Sequence, residues 1–184
     1  MNVILFDPPA IRENLLPFTF TRPVAKIRVG ILTVDEKWAH WLKATPSFNT
    51  QPYLQKKFPL TAGKDNLLIN GALCPDEHIV TAINALDQNQ VLIKDKMILA
   101  ARQNDIASLA DCTPIAYEQS VTMIHHVWDI FQKNASQLKI DFHLLTKGRT
   151  SAGIDDKHTI VYGEETARVN AANHCRVVIT RKVG

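Results

Sequence analysis

Between Asp7 and Arg28 the chain gathers Arg12, Arg22, Lys26 and Arg28 with the hydroxyls of Thr19 and Thr21 and the prolines Pro8, Pro9, Pro17 and Pro23. A guanidinium is a planar fork of N–H donors that can grip two oxygens of one phosphate or carboxylate. The same cations could instead form ion pairs with Glu13, Asp35 or Glu36, and the threonines could serve only to close turns. Both readings stay open on residue type alone. The remaining reactive side chains suggest little chemistry. Cys74, Cys112 and Cys175 are odd in number and lack a CxxC spacing, so they read as free thiols of a reducing compartment. Cys74 has no neighbour that would lower its pKa and reads as inert. His125 and His126 are adjacent; on a helix they diverge by roughly 100° and do not face one metal. Asp129 and Asp141 are the later acids that could take part in a metal site. The GxxxxGK, GxGxxG, HExxH and GxSxG patterns are absent.

The elements that must position these groups follow from the apolar pattern. Asn2 to Phe6 is a continuous apolar run that suits a strand buried on both faces, and Pro8-Pro9 must end it. Residues 10–26 read as a loop. Thr33 and Glu36 have capping-box spacing, and Trp38, Trp41 and Leu42 follow at helical intervals, so a helix with a tryptophan core face starts at Thr33. Residues 44–66 read as an irregular connection. Asn66 to Asn70 suits a second buried strand, and Asn70-Gly71 a turn after it. Pro75-Asp76-Glu77 would open a helix over 76–86. Residues 90–94 and 96–101 form a strand pair around Lys94-Asp95-Lys96. Residues 103–110 suggest a short helix, and 122–138 a longer one. Alternating strands and helices predict an α/β arrangement. From about 151, small and β-branched residues recur every six positions: Ile160, Thr166, Ala172, Val178, and Gly163, Val169, Cys175. That period suits the coils of a parallel β-helix, which is expected to continue past Gly184 in a longer protein.

A chain of 184 residues, 46% hydrophobic and 21% charged, has the composition of a globular protein with a sizeable core and not of a disordered one. A dispersed net charge of +3 gives no footprint for nucleic acid. No apolar run approaches the roughly 20 residues of a membrane span, and no basic leader precedes the first strand. A cytoplasmic location is expected.

The segment Asp7-Pro-Pro-Ala-Ile-Arg12-Glu-Asn-Leu-Leu-Pro17-Phe-Thr19-Phe-Thr-Arg22-Pro23-Val24 resembles the signature loop of sugar-1-phosphate nucleotidyltransferases. There a first strand leads into a glycine-rich loop ending in arginine, then Pro-Leu-Thr, three residues, and Pro-Lys. Pro17-Phe18-Thr19 matches the first proline element, Pro23 falls at the right distance, and Arg12 stands in the place of the loop arginine. The longer stretch LLPFTFTRPVAKIRVGILTVDEKW is similar to a divergent bacterial family described as N-acetylglucosamine-1-phosphate uridyltransferase-like or glucose-1-phosphate thymidylyltransferase-like. INGALCP and the region from Val121 to Phe131 fit it too. The resemblance implies a reduced, Rossmann-like nucleotide-diphospho-sugar transferase domain over 1–150. The first coils of a left-handed β-helix of acyltransferase type would occupy 151–184.

What the resemblance implies about activity is transfer of a nucleotidyl group from UTP or dTTP to a sugar 1-phosphate, with pyrophosphate released and Mg2+ as cofactor. It assigns Arg12 and Arg22 to catalysis, Phe6, Asp7, Arg12, Thr19 and Lys26 to the nucleotide and its phosphates, and Asn70 and Gly71 to substrate. No metal ligand is assigned. The full-length protein would form trimers through its β-helix. Two departures stand out: Asp7-Pro8-Pro9-Ala10 replaces the glycine-rich turn, and Val24 replaces the lysine, with Lys26 two residues late. Either the phosphate grip is rebuilt from Arg12, Arg22, Lys26 and Arg28, or the domain is a degenerate nucleotide-sugar-binding or regulatory module attached to the acyltransferase.

Overall fold

The computed structural model describes residues 1–104 and 111–150, together with the backbone of two strand fragments, Ala167–Arg168 and Val178–Ile179. At its centre is a six-stranded sheet of β1 (Asn2–Phe6), β2 (Ser47–Asn49), β3 (Asn66–Asn70), β5 (Gln90–Lys94), β6 (Met97–Gln103) and β7 (Thr113–Ala116), in the order β2-β1-β3-β6-β5-β7. β1 runs parallel to β2 and β3, and β5 parallel to β7; the joins through β6 are antiparallel. With helices and mostly parallel pairing, this is a mixed α/β domain that fits the Rossmann-like expectation.

β1 and β3 occupy the residues their apolar runs predict. Val3, Ile4, Leu5, Leu67, Leu68 and Ile69 are all buried, as strands covered on both faces require. The β5–β6 hairpin turns at Asp95 and Lys96, whose φ values of 48° and 64° are those of a two-residue turn matched to strand twist. α2 (Val34–Leu42) starts at Thr33 with its capping box formed, the Glu36 carboxylate accepting the Thr33 N–H at 2.8 Å. Trp38 is fully buried and donates its indole N–H to the Leu73 carbonyl at 2.8 Å, so it is core, as expected; Trp41 packs partly buried against the same core. α3 (Glu77–Asn84) is capped by Asp76, which accepts the N–H groups of His78 and Ile79 at 2.9 Å.

Three local expectations are corrected. Residues 10–26 are not a plain loop: Pro9–Asn14 form a short helix, α1, because a proline in the first turn gives up an N–H that has no intrahelical partner there. Two 3-10 turns follow, Phe18–Phe20 and Val24–Lys26. The 44–66 connection contains β2 and a 3-10 turn at Pro52–Leu54. The helix expected over 122–138 is displaced: Thr122–Met123 form β8, paired antiparallel with β4 (Leu73–Cys74), and the helices are α4 (Asp129–Gln132) and α5 (Asn134–Thr146). His125 and His126 therefore precede the helix, and the His126 ring stacks on Trp128 at 4.4 Å. Gln103 ends β6; the remainder of the helix expected over 103–110 lies outside the described residues apart from Asn104. The β-helix expected over 151–184 also lies outside them, except that the two strand fragments there pair antiparallel.

Candidate functional site

Three parallel strands, β2, β1 and β3, release their C-terminal ends along one sheet edge, at Asn49-Thr50, Phe6-Asp7 and Asn70-Gly71. From β1 the chain goes to β2 on one side, and β3 lies on the other, so this edge is a topological switch point, where open α/β sheets place ligands. The crevice itself is closed by the chain. Gly71 N–H donates to the Phe6 carbonyl at 2.8 Å, and a side chain on Gly71 would meet Phe6 O at 3.0 Å and Ala25 N at 3.3 Å. Gly71 is thus the residue that lets the Val24–Lys26 turn seat against the ends of β1 and β3.

Asp7 fastens that turn. One carboxylate oxygen accepts the Val24 N–H at 2.8 Å and the other accepts the Thr50 hydroxyl. Burial raises the Asp7 pKa above the usual carboxylate range, against the opposing pull of Thr50, Val24 and the Arg12 guanidinium. Asn70 is 1% exposed; its amide donates to the Ile98 carbonyl and accepts from Ala72 N–H, both at 3.0 Å. Asn70 and Gly71 therefore perform the work of a turn and a strand tie. Phe6 is half-buried and contributes its carbonyl to this arrangement.

Outside the closed crevice stands Arg12, on α1. Its Nη2 donates to the Thr19 carbonyl at 2.9 Å and to the Tyr53 hydroxyl at 2.6 Å, and the fully buried Thr19 hydroxyl donates back to the Arg12 carbonyl at 2.8 Å. Tyr53 in turn donates to the Phe20 carbonyl at 2.9 Å. This clasp spends one guanidinium nitrogen. Nε has no hydrogen-bond partner although it is buried, and Nη1 donates to no group among the described residues. A held guanidinium with donors to spare is what anion binding requires.

The other cations divide. Lys26 pairs with Asp35 at 2.6 Å and lies over the Phe48 ring at 5.2 Å. Arg28 pairs with Glu36 at 3.6 Å and donates to the Ile31 carbonyl. Arg22 is exposed and makes no ion pair or hydrogen bond among the described residues. The structure thus gathers Asp7, Arg12 and Thr19, and directs Lys26 and Arg28 to acids of α2. Tyr53 was not singled out from the sequence. Its signal was an aromatic with a polar tip directly after Pro52, in a stretch read as irregular.

Among the described residues no three His, Cys, Asp or Glu side chains come together in a way that could hold a metal. Asp129 accepts the N–H groups of His125 and His126 and pairs with Lys133 at 2.7 Å; Asp141 is bonded to Lys37 and to two backbone N–H groups. Both oxygens of Asp7 are engaged as well. These acids are fold ties, and Mg2+ finds no prepared ligand set in them. Burial pushes the Cys74 thiol up to about 12, which agrees with an inert core cysteine.

Residues 3–150 match the family described as sugar nucleotidyl transferase. The chain belongs to that family. The match runs from β1 through α5 and ends where the described domain ends, so the Arg12 clasp and the closed crevice are features of a sugar nucleotidyl transferase-like domain. No curated protein matches the chain. No helix among the described residues is long and apolar enough to cross a membrane.

Proposed function

We propose that the chain transfers a nucleotidyl group from UTP or dTTP to a sugar 1-phosphate. A phosphate oxygen of the sugar 1-phosphate attacks the α-phosphorus, the bond to the β-phosphate oxygen breaks, and pyrophosphate leaves. Negative charge grows on the leaving and non-bridging oxygens, so the chain must supply fixed positive donors beside them. Arg12 is the residue for this: the observation carrying the proposal is its guanidinium, held through Nη2 by Thr19 and Tyr53 with Nη1 unspent. Arg22, exposed on the adjacent turn, is the second donor in this reading. Phe6, Asp7 and Thr19 shape the corner, Lys26 is held back by Asp35, and Asn70 and Gly71 support the crevice floor. No step is assigned to Mg2+, because the acids among the described residues do not fit it.

The second reading is a nucleotide-sugar-binding or regulatory module that has lost the transfer chemistry. It is favoured by Pro8 and Pro9, which offer no N–H to a phosphate, and by the engagement of Lys26 with Asp35. In either reading we take residues 1–150 as the nucleotide domain and 151–184 as the first coils of a left-handed β-helix in a cytoplasmic, trimeric bacterial protein. Small molecules, not nucleic acid, are its partners.

Pyrophosphate release from each nucleoside triphosphate with a panel of sugar 1-phosphates separates the two. Turnover that falls at least about tenfold in Arg12→Ala supports transfer, since hydrogen bonds to a charged group are worth about 1.5–3 kcal/mol. No turnover with any pair, together with a thermal shift from UTP or dTTP, would establish the binding module. A ligand at 100 times its Kd stabilises by about 2.7 kcal/mol, an easily read shift.

A further inference from the structure

The strongly exposed aromatic side chains among the described residues fall in two places: Phe18 and Phe20 on the 3-10 turn whose Thr19 carbonyl binds Arg12, with Tyr53 tied to the same turn, and Trp128 with Phe131 at α4. Trp128 already has the His126 ring against one face. At the Arg12 turn the neighbour is instead a cation. Phe20 is 58% exposed and Tyr53 60%, and the Tyr53 hydroxyl joins the two residues to the guanidinium through its bonds to Phe20 O and Arg12 Nη2. The Arg12 carbon lies 5.9 Å from the Tyr53 ring centroid. Flat apolar faces next to a cation with unspent donors suit a ligand that joins a planar ring to an anion.

We propose that Phe20 and Tyr53 form the wall on which the nucleobase of the nucleoside triphosphate lies while Arg12 holds its phosphates. This rests on the nucleotidyl-transfer reading and deepens it. Stacking uses the π-face that every base has, so the wall favours a nucleotide over a bare polyphosphate and discriminates weakly between bases. Tyr53 has a second task, since its hydroxyl positions Arg12.

Calorimetric titration of UTP and of inorganic tripolyphosphate, with Mg2+ present, tests this on the wild type and on Phe20→Leu, Tyr53→Phe and Tyr53→Leu. The wild type is expected to prefer UTP. Phe20→Leu should weaken UTP by about tenfold and leave tripolyphosphate unchanged. In Tyr53→Phe both ligands weaken together as Arg12 loses its partner, and the preference persists; in Tyr53→Leu the preference collapses. Wild-type UTP binding that neither Phe20→Leu nor Tyr53→Leu alters overturns the wall and leaves the nucleotidyl-transfer reading standing. Self-association abolished by both variants, with UTP affinity unmoved, would assign the rings to a second copy of this chain instead. A wild type that binds neither ligand overturns the transfer reading and the wall together.

Discussion

Two charged regions of this domain use similar groups to opposite ends. At the Arg12 corner the arginine is half-buried, Nη2 is committed to Thr19 and Tyr53, and Nη1 is left over. At the seat of α5, Lys37 and Asp141 are each 1% exposed and form an ion pair, and Asp141 also accepts the N–H groups of Ile31 and Leu32 at 2.9 and 3.1 Å. Asn134, two turns earlier on α5, accepts the Gly30 N–H at 2.8 Å. One region keeps a donor available; the other pairs its two charges with each other. The difference separates binding from fastening: an anion site needs unspent polarity, whereas buried charge is tolerable only when it is fully paired.

The largest expected effect lies at the fastening end. Asp141→Ala strands a buried ammonium and two backbone N–H groups, and should cost about 3–5 kcal/mol, read as a fall in denaturation midpoint. Asp141→Asn, which keeps an acceptor for the N–H groups, should cost less. Triphosphate binding, measured below the lowered midpoint, should survive in both. If binding is lost while stability is kept, Asp141 belongs to the site and the contrast fails.

Gly30→Ala should be next, at about 2 kcal/mol. Gly30 has φ +84°, and an added Cβ would lie 2.6 Å from an Asp141 carboxylate oxygen and 2.9 Å from the Gln137 carbonyl carbon. The α5 backbone cannot step back without breaking the Asn134 and Asp141 bonds. A midpoint unchanged by this substitution would show that α5 is not seated on the Gly30–Leu32 segment.

The α5 seat also explains what could be read from the sequence and what could not. β1, β3, the β5–β6 hairpin and the starts of α2 and α3 are written locally, in continuous apolar runs, a turn and two caps. α5 is not, because its buried residues are Gln137 and Asp141, which no apolar period marks. Thr122–Met123 became strand through pairing with Leu73–Cys74, a partner about fifty residues away in a chain whose local pattern suggested helix. β2 has a single buried residue, Phe48, and owes its existence to β1. At the site, Arg12 and Thr19 were legible through motif spacing. Tyr53 was not, since its role depends on a contact spanning 41 residues. Asp141 was legible as an acid worth testing, but its partner Lys37 lies on another helix, and that partner makes it a tie.

Two aspartates carry the contrast to smaller energies and into pH. Asp129 is opposed by burial, yet the bonds from Lys133 and from the His126 and His125 N–H groups outweigh this and lower its pKa. Its charge therefore stabilises the fold above the unfolded carboxylate range, and that contribution is lost as pH falls through the lowered value. Asp129→Asn should be destabilising at pH 7, by about 1 kcal/mol, with the deficit shrinking on acidification. A deficit that holds constant down to pH 3 would mean that the side chain acts through shape and not charge.

Asp7 should behave in the opposite sense. Its pKa is raised, chiefly by burial, so the folded state binds the proton more tightly than the unfolded chain does. Its ionisation then costs stability at neutral pH, and the cost disappears as pH falls through the raised value. Asp7→Asn retains an acceptor for the Val24 N–H, and the Thr50 hydroxyl can turn to accept from the new amide. The variant should be unchanged or slightly more stable at pH 7, by under about 1 kcal/mol, with the gain vanishing toward pH 4. Chemical denaturation of both proteins across that range measures it. A variant less stable at pH 7 that recovers on acidification would show Arg12 and the polar contacts outweighing burial at Asp7. Arg12 would then be committed to a carboxylate of its own fold, as Lys37 is to Asp141, and the corner would be a second fastening with nothing left over for a phosphate.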